Sequence, residues 1–296
     1  MKKKDRIEQE FEEEIDLGEG RLAAPASEER EEDKNRRGRR EQVTFDILHI
    51  DDDLIAVNKP AGLLSVAGRA HEISLRELLR EHPKVLATLR PEERDPKFGV
   101  NIRSVHRLDR DASGVILFAR GLEAQRDLVR QFEQRRVEKA YLAIVTGYVL
   151  GEGVIDKPLM IDESAGRSRI SEKRGKPSMT EYRVVQRLAG NTLVECRPKT
   201  GRLHQIRVHM ASIGHPLTVD AVYGGGDAVY LSHHKPNYRP SSKHEERPLI
   251  ARLTLHAAKL TVEHPRTREP ITFEAPLPKD FRATISQLSR LVTGAR

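Results

Sequence analysis

Short apolar runs separated by turn signals predict most of the chain as strands. Apolar and polar residues alternate over residues 43–49, and a second apolar run covers residues 54–57. A period of two is typical of a half-buried strand. The aspartates at 51–53 predict the hairpin turn between them. A longer apolar run at 115–119 follows the turn signal at 113–114 and predicts a buried strand.

Helical patterns are fewer and lie between the strand patterns. Ser74 is placed to cap a short helix with Leu75, Leu78 and Leu79 on its buried face. Further helices are predicted over Leu122–Arg136, Lys199–Met210 and Pro278–Leu291, and further strands over 138–147, 180–188, 192–196, 249–262 and 271–273. Polar, irregular or mobile connections are predicted at 83–99, 152–178 and 224–247. Because hairpins predominate, the sequence predicts an α+β domain on a largely antiparallel sheet.

The charge of the first 41 residues differs from that of the rest. Residues 1–41 hold 11 Lys+Arg and 14 Asp+Glu with few apolar residues, so we predict a disordered tail. Residues 42–296 hold 41 Lys+Arg and 31 Asp+Glu and form the predicted folded domain, with no separate RNA-binding domain before it. This basic excess suits a polyanion such as RNA, although it also fits a charge that only keeps the protein soluble.

Cysteine usage and hydropathy limit the compartment and the cofactors. A single cysteine, Cys196, excludes an intramolecular disulfide and favours a reducing cytoplasm. The first residues show no secretory signal, and the longest uncharged run, Ala140–Gly151, is too short to span a bilayer. His204 and His209 are five apart and miss the spacing of a helical zinc site. We therefore expect a soluble, cytoplasmic monomer with no metal and no membrane partner.

Two charged positions beside the predicted core are candidates for chemistry. Residues 106–111 place two arginines and two aspartates next to a buried strand, so this loop is either a rim with local ion pairs or a site. Arg207 falls on an otherwise apolar helix face formed by Leu203, Ile206 and Met210. Because a buried guanidinium needs a carboxylate partner, the sequence predicts a buried aspartate opposite Arg207.

The motifs around these residues resemble those of the RluA-type pseudouridine synthase family. The likeness covers roughly residues 43–282, and it rests on NKPAG at 58–62, HRLD at 106–109 with SGV at 113–115, EKAYLA at 138–143, GRLHQIR at 201–207 and GHPLTVDAVYG at 214–224. Two positions depart from the family's pattern. Ala112 stands where the family usually has threonine, and Val219 stands where it usually has glycine.

The resemblance implies both a fold and a reaction. It implies that residues 42–296 are a catalytic domain, a long and bent, mainly antiparallel sheet with flanking helices. The domain would isomerise uridine to pseudouridine in ribosomal or transfer RNA without a cofactor. Asp109 would attack C1′ or remove a 2′ proton, Arg207 would pair with it, and Tyr141 would stack on the uracil. The implied substrate contacts are Arg107, which would occupy the space of the flipped base, His106, Arg202, Gln205 and Lys59, the last meeting RNA phosphate or simply being exposed.

Two other classes of protein remain open from the residues. A non-catalytic RNA-binding or ribosome-assembly protein on the same fold would predict loss of Asp109, Tyr141 or Arg207, and all three are present. A hydrolase would use Asp109 and Asp111 as a carboxylate pair, as glycosidases do.

Overall fold

The computed structural model describes residues 43–68, 72–88, 94–95, 99–239 and 244–293. The predicted tail at 1–41 lies outside the described residues. The described chain is α+β, as the sequence predicts. None of the helices in these ranges has the length and apolar character needed to span a lipid bilayer.

Strands account for most of the regular structure. In chain order they are β1 (Asp46–Ile50), β2 (Leu54–Lys59), β3 (Arg94–Asp95), β4 (Gly99–Val100), β5 (Ile102–Ser104), β6 (Ser113–Arg120), β7 (Glu138–Thr146), β8 (Glu152–Asp156), β9 (Leu159–Asp162), β10 (Arg167–Ile170), β11 (Met179–Leu188), β12 (Asn191–Pro198), β13 (Leu255–Glu263) and β14 (Pro270–Glu274). The helices are α1 (Leu75–Glu81), α2 (Pro83–Ala87), α3 (Leu122–Glu133), α4 (Gln205–Ser212) and α5 (Lys279–Thr293), with a 3-10 turn at Leu231–His233.

Ten strands form one sheet in the order β1–β2–β6–β13–β7–β12–β11–β8, with β5 paired to β6 and β14 paired to β13. Neighbouring strands are antiparallel except β6 and β13, which run parallel through two residue pairs, Ser113–His256 and Ala257–Gly114. Gly114 has a φ of +116°, and a Cβ there would lie 2.2 Å from the Ala257 carbonyl oxygen, so only glycine allows this approach. The start of β6 therefore lies at the centre of the sheet.

Both faces of the central strands are covered. All eight residues of β6 are buried. One face packs with Leu128 of α3, and the other with Leu75 and Leu79 of α1. Met210 of α4 packs against β7. A strand buried on both faces reads as a continuous apolar run, which is why the sequence identified β6 so readily.

Several boundaries predicted from sequence are wrong. Residues 152–178 are not a mobile connection, because β8, β9 and β10 lie there. These strands are short and largely exposed, so their sequences carry little apolar alternation. Likewise α2, β3 and β4 lie within the stretch predicted as irregular at 83–99. Proline at the first turn of α2 follows a cap at His82, a helix start that the polar composition concealed.

The aspartates of the β1–β2 turn meet the β13–β14 turn in a group that we call the hairpin-tip cluster: Asp51, Asp52, Asp53, His264 and Arg266. Arg266 forms two hydrogen bonds with Asp53, at 2.7 and 3.0 Å. His264 Nε2 lies 3.2 Å from Asp51 Oδ2. The ligand atoms of Asp51, Asp53 and His264 lie within 4.8 Å of one another. Since these atoms already bond to one another or to Arg266, the cluster acts as a clasp between two turns.

Candidate active site

The loop that precedes β6 is fastened to the segment that follows β2. The Ser65 hydroxyl donates to the Leu108 carbonyl at 3.0 Å, and the Leu108 N–H donates back to Ser65 Oγ at 3.0 Å. The Gly62 N–H donates to the Arg110 carbonyl at 2.9 Å. The backbone on both sides of Asp109 is therefore held in place.

Lys59 completes this fastening from inside the core. Its side chain is fully buried, and Nζ donates to the carbonyl oxygens of Pro60, Leu63 and Arg110 at 2.9, 2.7 and 2.8 Å. Burial lowers the pKa of Lys59 to about 7, while two aspartates of the loop oppose that shift. Three carbonyl acceptors match the three protons of an ammonium group. Lys59 thus has no N–H left for an RNA phosphate and is not exposed, contrary to both sequence-based expectations.

His106 also supports the loop. Its Nε2 accepts a hydrogen bond from the Leu117 N–H at 2.9 Å, and its ring stacks on Phe132 at a centroid distance of 4.8 Å. Burial, with a smaller effect from Lys139, lowers the pKa of His106 to about 3. The neutral ring is therefore bound to the sheet, and the structure does not place it as a substrate contact.

Asp109 lies beside a buried arginine and a second aspartate. Arg207 donates from Nε and Nη2 to the two carboxylate oxygens of Asp220 at 2.7 and 2.8 Å. Its remaining arm, Nη1, donates to Asp109 Oδ2 at 3.2 Å. The side chain of Asp220 is 0% exposed, that of Arg207 is 9% exposed and that of Asp109 is 20% exposed. The predicted Arg207–Asp109 contact is present, but the buried aspartate that holds the guanidinium is Asp220.

The Arg207 guanidinium is positioned as a fixed positive charge. Burial alone would lower the pKa of Arg207, but the hydrogen bonds and charges of Asp220 and Asp109 raise it above its usual value. The ring of Tyr223 lies 5.1 Å from the guanidinium carbon, in cation–π contact. Asp109 therefore presents one partly exposed carboxylate in front of an arginine that cannot move away.

Tyr141 of β7 lies close enough to Asp109 for the aspartate charge to act on its hydroxyl. It packs between two apolar groups of the core, one around α1 and β6 and one around α4. Burial raises the pKa of the Tyr141 hydroxyl, and the charge of Asp109 raises it further. The phenol therefore stays neutral near pH 7, and its ring offers an apolar surface beside the Asp109 carboxylate.

Gln205 is another predicted substrate contact that the structure uses internally. Its Oε1 accepts from Thr200 Oγ1 at 2.7 Å and from the Arg202 N–H at 3.0 Å. Its Nε2 donates to the Met179 carbonyl at 2.9 Å and to Thr180 Oγ1 at 3.0 Å. Every position of the buried amide is thus occupied, and Gln205 shapes the turn into α4 instead of meeting a substrate.

Among the predicted substrate contacts, Arg107 and Arg202 keep side chains that are at least partly accessible to solvent. Arg107 is exposed on the loop before β6, and Arg202 is half-buried in the loop before α4. Lys139 joins them, because its Nζ donates to the Thr200 carbonyl at 3.2 Å. Burial lowers the pKa of Lys139 to about 8. Arg107 and Lys139 lie two residues before Asp109 and Tyr141 in the chain, and their positive charge suits a phosphate backbone.

Three residues of the site have no role in the sequence-based predictions: His204, Asp220 and Tyr223. His204 Nε2 lies 3.9 Å from Asp109 Oδ2, and its Nδ1 lies 3.0 Å from the Tyr223 hydroxyl. Asp220 and Tyr223 belong to the segment at 214–224 whose pattern the resemblance includes. The signal that points to Asp220 is the shape of the guanidinium, which has room for two carboxylates.

Comparison with known proteins identifies the class that this fold and site define. Residues 53–212 match the family model described as RNA pseudouridylate synthase, which is more than half of the chain. The chain belongs to the RNA pseudouridylate synthase family. It is an RNA uridine isomerase by class, and the non-catalytic alternative is not favoured.

Individual members of the family are similar to this chain over most of its length. Ribosomal large subunit pseudouridine synthase D of Nitrosomonas europaea is 37% identical over 259 residues, which cover 85% of this chain and 67% of the relative. The protein of the same name from Neisseria meningitidis serogroup B is 36% identical, and the match covers 63% of it. Dual-specificity RNA pseudouridine synthase RluA of Escherichia coli K12 is 38% identical over 236 residues, which cover 78% of this chain and 92% of RluA.

Solved structures agree on the fold. Human RNA pseudouridylate synthase domain containing 4 superposes with a TM-score of 0.61 at 22% identity, over 87% of this chain and 97% of that one. Human RNA pseudouridylate synthase domain containing 1 superposes with a TM-score of 0.57 at 26% identity, over 79% and 84%. The predicted fold class is confirmed.

Proposed function

We propose that this chain converts uridine to pseudouridine in ribosomal or transfer RNA, with Asp109 as its catalytic residue. The observation that carries the proposal is the partly exposed Asp109 carboxylate, held 3.2 Å from the buried Arg207 at the end of the loop that leads into the central strand β6. The names of the relatives support the substrate class, since they include synthases of the large ribosomal subunit and a dual-specificity RNA enzyme.

The reaction breaks the bond between N1 and C1′ and forms one between C5 and C1′. The carbon-linked product loses the C5 proton, and N1 gains one. Asp109 starts this sequence either as a nucleophile at C1′ or as a base that removes the 2′ proton. The target nucleotide has to leave its stack to reach the carboxylate. Arg107 would then fill the space that the base leaves.

Tyr141 would act on the detached uracil. Its aromatic face provides a stacking surface, and stacking on aromatic rings holds a base without reading its sequence. Because the raised pKa keeps its hydroxyl neutral, we assign Tyr141 to positioning the base and to relaying the C5 proton, not to acting as an anionic base. Arg202 and Lys139 would meet the flanking phosphates.

The direct test is the substitution Asp109→Asn, which keeps the shape of the side chain and removes its charge. An amide can neither attack C1′ nor accept a proton at neutral pH, so pseudouridine formation in transcribed ribosomal and transfer RNA should vanish. RNA affinity should change far less, because phosphate contacts dominate it. Asp111→Asn is the matched control, since Asp111 is exposed on the same loop and should keep most activity.

The outcomes separate the possible classes. Pseudouridine formed by Asp109→Asn would remove Asp109 from the catalytic role. A wild-type protein that binds RNA but never forms pseudouridine in either RNA class would instead support the RNA-binding alternative. Mapping pseudouridine in cellular RNA with and without the protein would identify the target uridine.

We also propose that residues 42–296 act alone, as a cytoplasmic monomer. The matched region at 53–212 and the site residues all lie within that range. Deleting residues 1–41 should leave turnover on a good substrate largely intact, while affinity changes because the deletion removes four arginines within residues 35–40, a basic cluster able to contact phosphates. A folded but inactive deletion protein would contradict this assignment, and sedimentation of the full chain would test the monomer.

A further inference from the structure

The hydroxyl of Tyr223 has three hydrogen-bond neighbours, and one assignment of protons satisfies all of them. The oxygen lies 2.9 Å from Ser168 N, 3.0 Å from the Ser168 carbonyl oxygen and 3.0 Å from His204 Nδ1. A backbone N–H only donates, and a carbonyl only accepts. The hydroxyl therefore gives its single proton to the Ser168 carbonyl and accepts from both nitrogens. It follows that His204 carries its proton on Nδ1.

This tautomer leaves His204 Nε2 as an acceptor directed at the site. Burial lowers the pKa of His204, and Asp109 only partly opposes that effect, so the ring is neutral. Nε2 lies 3.9 Å from Asp109 Oδ2. Two acceptor atoms then face the same space. A hydroxyl donor that entered this space would reach Nε2 at an ordinary hydrogen-bond length of about 2.8 Å while staying beside the carboxylate.

The backbone of His204 adopts an unusual conformation. His204 has φ +53° and ψ +21°, in the left-handed region that non-glycine residues rarely adopt. Its side chain does not cap α4, the helix that begins after it. The ring instead meets Tyr223 edge-on, with a centroid distance of 5.6 Å and an interplanar angle of 86°. Strain of this kind at a site points to a functional constraint on the side chain.

We propose that His204 Nε2 accepts a hydrogen bond from the 2′-hydroxyl of the target ribose and so helps the enzyme to select a ribonucleotide. The inference rests on the proposed function, in which Asp109 acts at C1′ or at the 2′ proton. In either chemistry the 2′-oxygen enters beside Asp109, because it is bonded to C2′, the neighbour of C1′. The 2′-hydroxyl is also the group that distinguishes RNA from DNA.

A two-by-two comparison of protein and RNA tests this contact. The wild type and His204→Asn are each assayed with a synthetic stem-loop around the mapped uridine, carrying either uridine or 2′-deoxyuridine at the target. Asparagine tolerates the left-handed backbone, and its amide is too short to reach the position of Nε2. We expect the wild type to prefer the ribonucleotide by about tenfold in dissociation constant, the effect of one hydrogen bond at a buried acceptor. In His204→Asn that preference should fall toward unity.

A third RNA separates hydrogen bonding from electronic effects. A 2′-fluoro target keeps an electronegative substituent but has no proton to donate, so the wild type should bind it as weakly as the deoxy target. His233→Asn is the matched control, because His233 is exposed in the 3-10 turn and should keep the full ribose preference. Tyr223→Phe should give a reduced preference, since it removes the hydroxyl that fixes the proton on Nδ1.

The outcomes are distinct. If the wild type converts uridine and His204→Asn keeps the same preference for the ribonucleotide as the wild type, this inference is overturned and the proposed function stands. Absence of pseudouridine from wild-type reactions would overturn the proposed function and this inference with it. If melting shows that His204→Asn does not fold, Tyr223→Phe decides: a reduced preference supports the contact, and an unchanged one overturns it.

Discussion

Two arginines in this protein bind aspartates in nearly the same way, in very different surroundings. Arg207 makes a two-bond contact with Asp220 at 2.7 and 2.8 Å and a third contact, with Asp109, at 3.2 Å. In the hairpin-tip cluster, Arg266 makes a two-bond contact with Asp53 at 2.7 and 3.0 Å and lies 3.8 Å from Asp52. The Arg207 side chain is 9% exposed, whereas that of Arg266 is 61% exposed.

The hydrogen-bond geometry alone therefore does not show which of the two arginines contributes more to stability and to the site. An exposed ion pair replaces contacts that water would otherwise make, so its net effect on stability is small. A buried pair has no such replacement, and removing one partner leaves the other as an unpaired charge in the core. The buried group also positions the candidate catalytic carboxylate, while the exposed group only joins two turns.

The largest expected effect is that of Arg207→Ala. This substitution leaves the fully buried Asp220 carboxylate without its arginine partner. Removing one member of a buried ion pair typically costs about 3–5 kcal/mol of stability. Denaturant unfolding should show this loss, and pseudouridine formation should disappear with it because Asp109 loses its neighbour. Wild-type stability together with wild-type turnover in Arg207→Ala would show that the buried arginine contributes no more than the exposed Arg266 does.

A smaller loss is expected for Asp220→Asn. The asparagine oxygen still accepts one hydrogen bond from Arg207, and Asp109 still faces the guanidinium, so we expect a loss of about 2 kcal/mol. Turnover should fall more than RNA affinity does, because one hydrogen bond holds Arg207 less firmly on the Asp220 side than the two bonds of the wild type do. Denaturant unfolding should show that Arg207→Ala is less stable than Asp220→Asn. The reverse order would contradict the proposal that burial makes the Arg207 contacts important for stability.

Burial also predicts how the loop beside the site responds to acid. The pKa of His106 is lowered to about 3, against an ordinary value of about 6.5. Between these values the unfolded chain binds a proton that the folded chain does not, so stability falls as the pH falls. The slope should be about 1.4 kcal/mol per pH unit from this residue. His106→Gln, which keeps an acceptor for the Leu117 N–H, should lose that part of the slope, as read from unfolding at pH 4, 5 and 6. Equal slopes in both proteins would contradict the assignment.

The smallest effect is expected for Arg266→Ala. Its contacts are solvated, so the melting temperature should stay close to that of the wild type at moderate salt, and turnover should be unchanged. A clear drop in the melting temperature would show instead that the clasp between the two turns contributes to folding.

The sequence alone predicted the core of this site but not its internal bonding. An arginine on an apolar helix face required a buried carboxylate, and the structure supplies Asp220 as well as Asp109. Lys59 and Gln205 show the opposite case. Their motif positions suggested substrate contacts. In the structure, Lys59 donates its protons to three backbone carbonyls, and the Gln205 amide forms its hydrogen bonds around the turn into α4. Some of these partners, such as the Arg110 and Met179 carbonyls, are distant in sequence, and the nearer ones are backbone or side-chain atoms of loops whose course the local pattern does not predict.

The fold, like the site, was predicted correctly in some segments and missed in others. The apolar run of β6 and the capping pattern before α1 identified buried elements correctly. The strands at 152–170 were missed because they lie in exposed surroundings, β8 at the edge of the large sheet and β9 with β10 in a separate two-stranded sheet, so their sequences show little apolar alternation. Prediction succeeded where burial shaped the local sequence and failed where partners elsewhere in the chain supply the structure.

The parallel junction between β6 and β13 has a kinetic consequence. Ser113 and His256, which pair across it, are 143 residues apart. Closing so long a stretch of chain is entropically costly and slow, whereas the hairpins β1–β2, β11–β12 and β13–β14 join residues that are close in sequence. We expect the hairpins to form first and the junction to close last, so that the loop bearing Asp109 reaches its final shape only after β13 has docked. Pulse-labelled hydrogen exchange during refolding should then show amides at the start of β6 protected later than those of the β11–β12 hairpin. A chain still emerging from the ribosome, with β13 not yet made, would carry every catalytic side chain named here and have no working site.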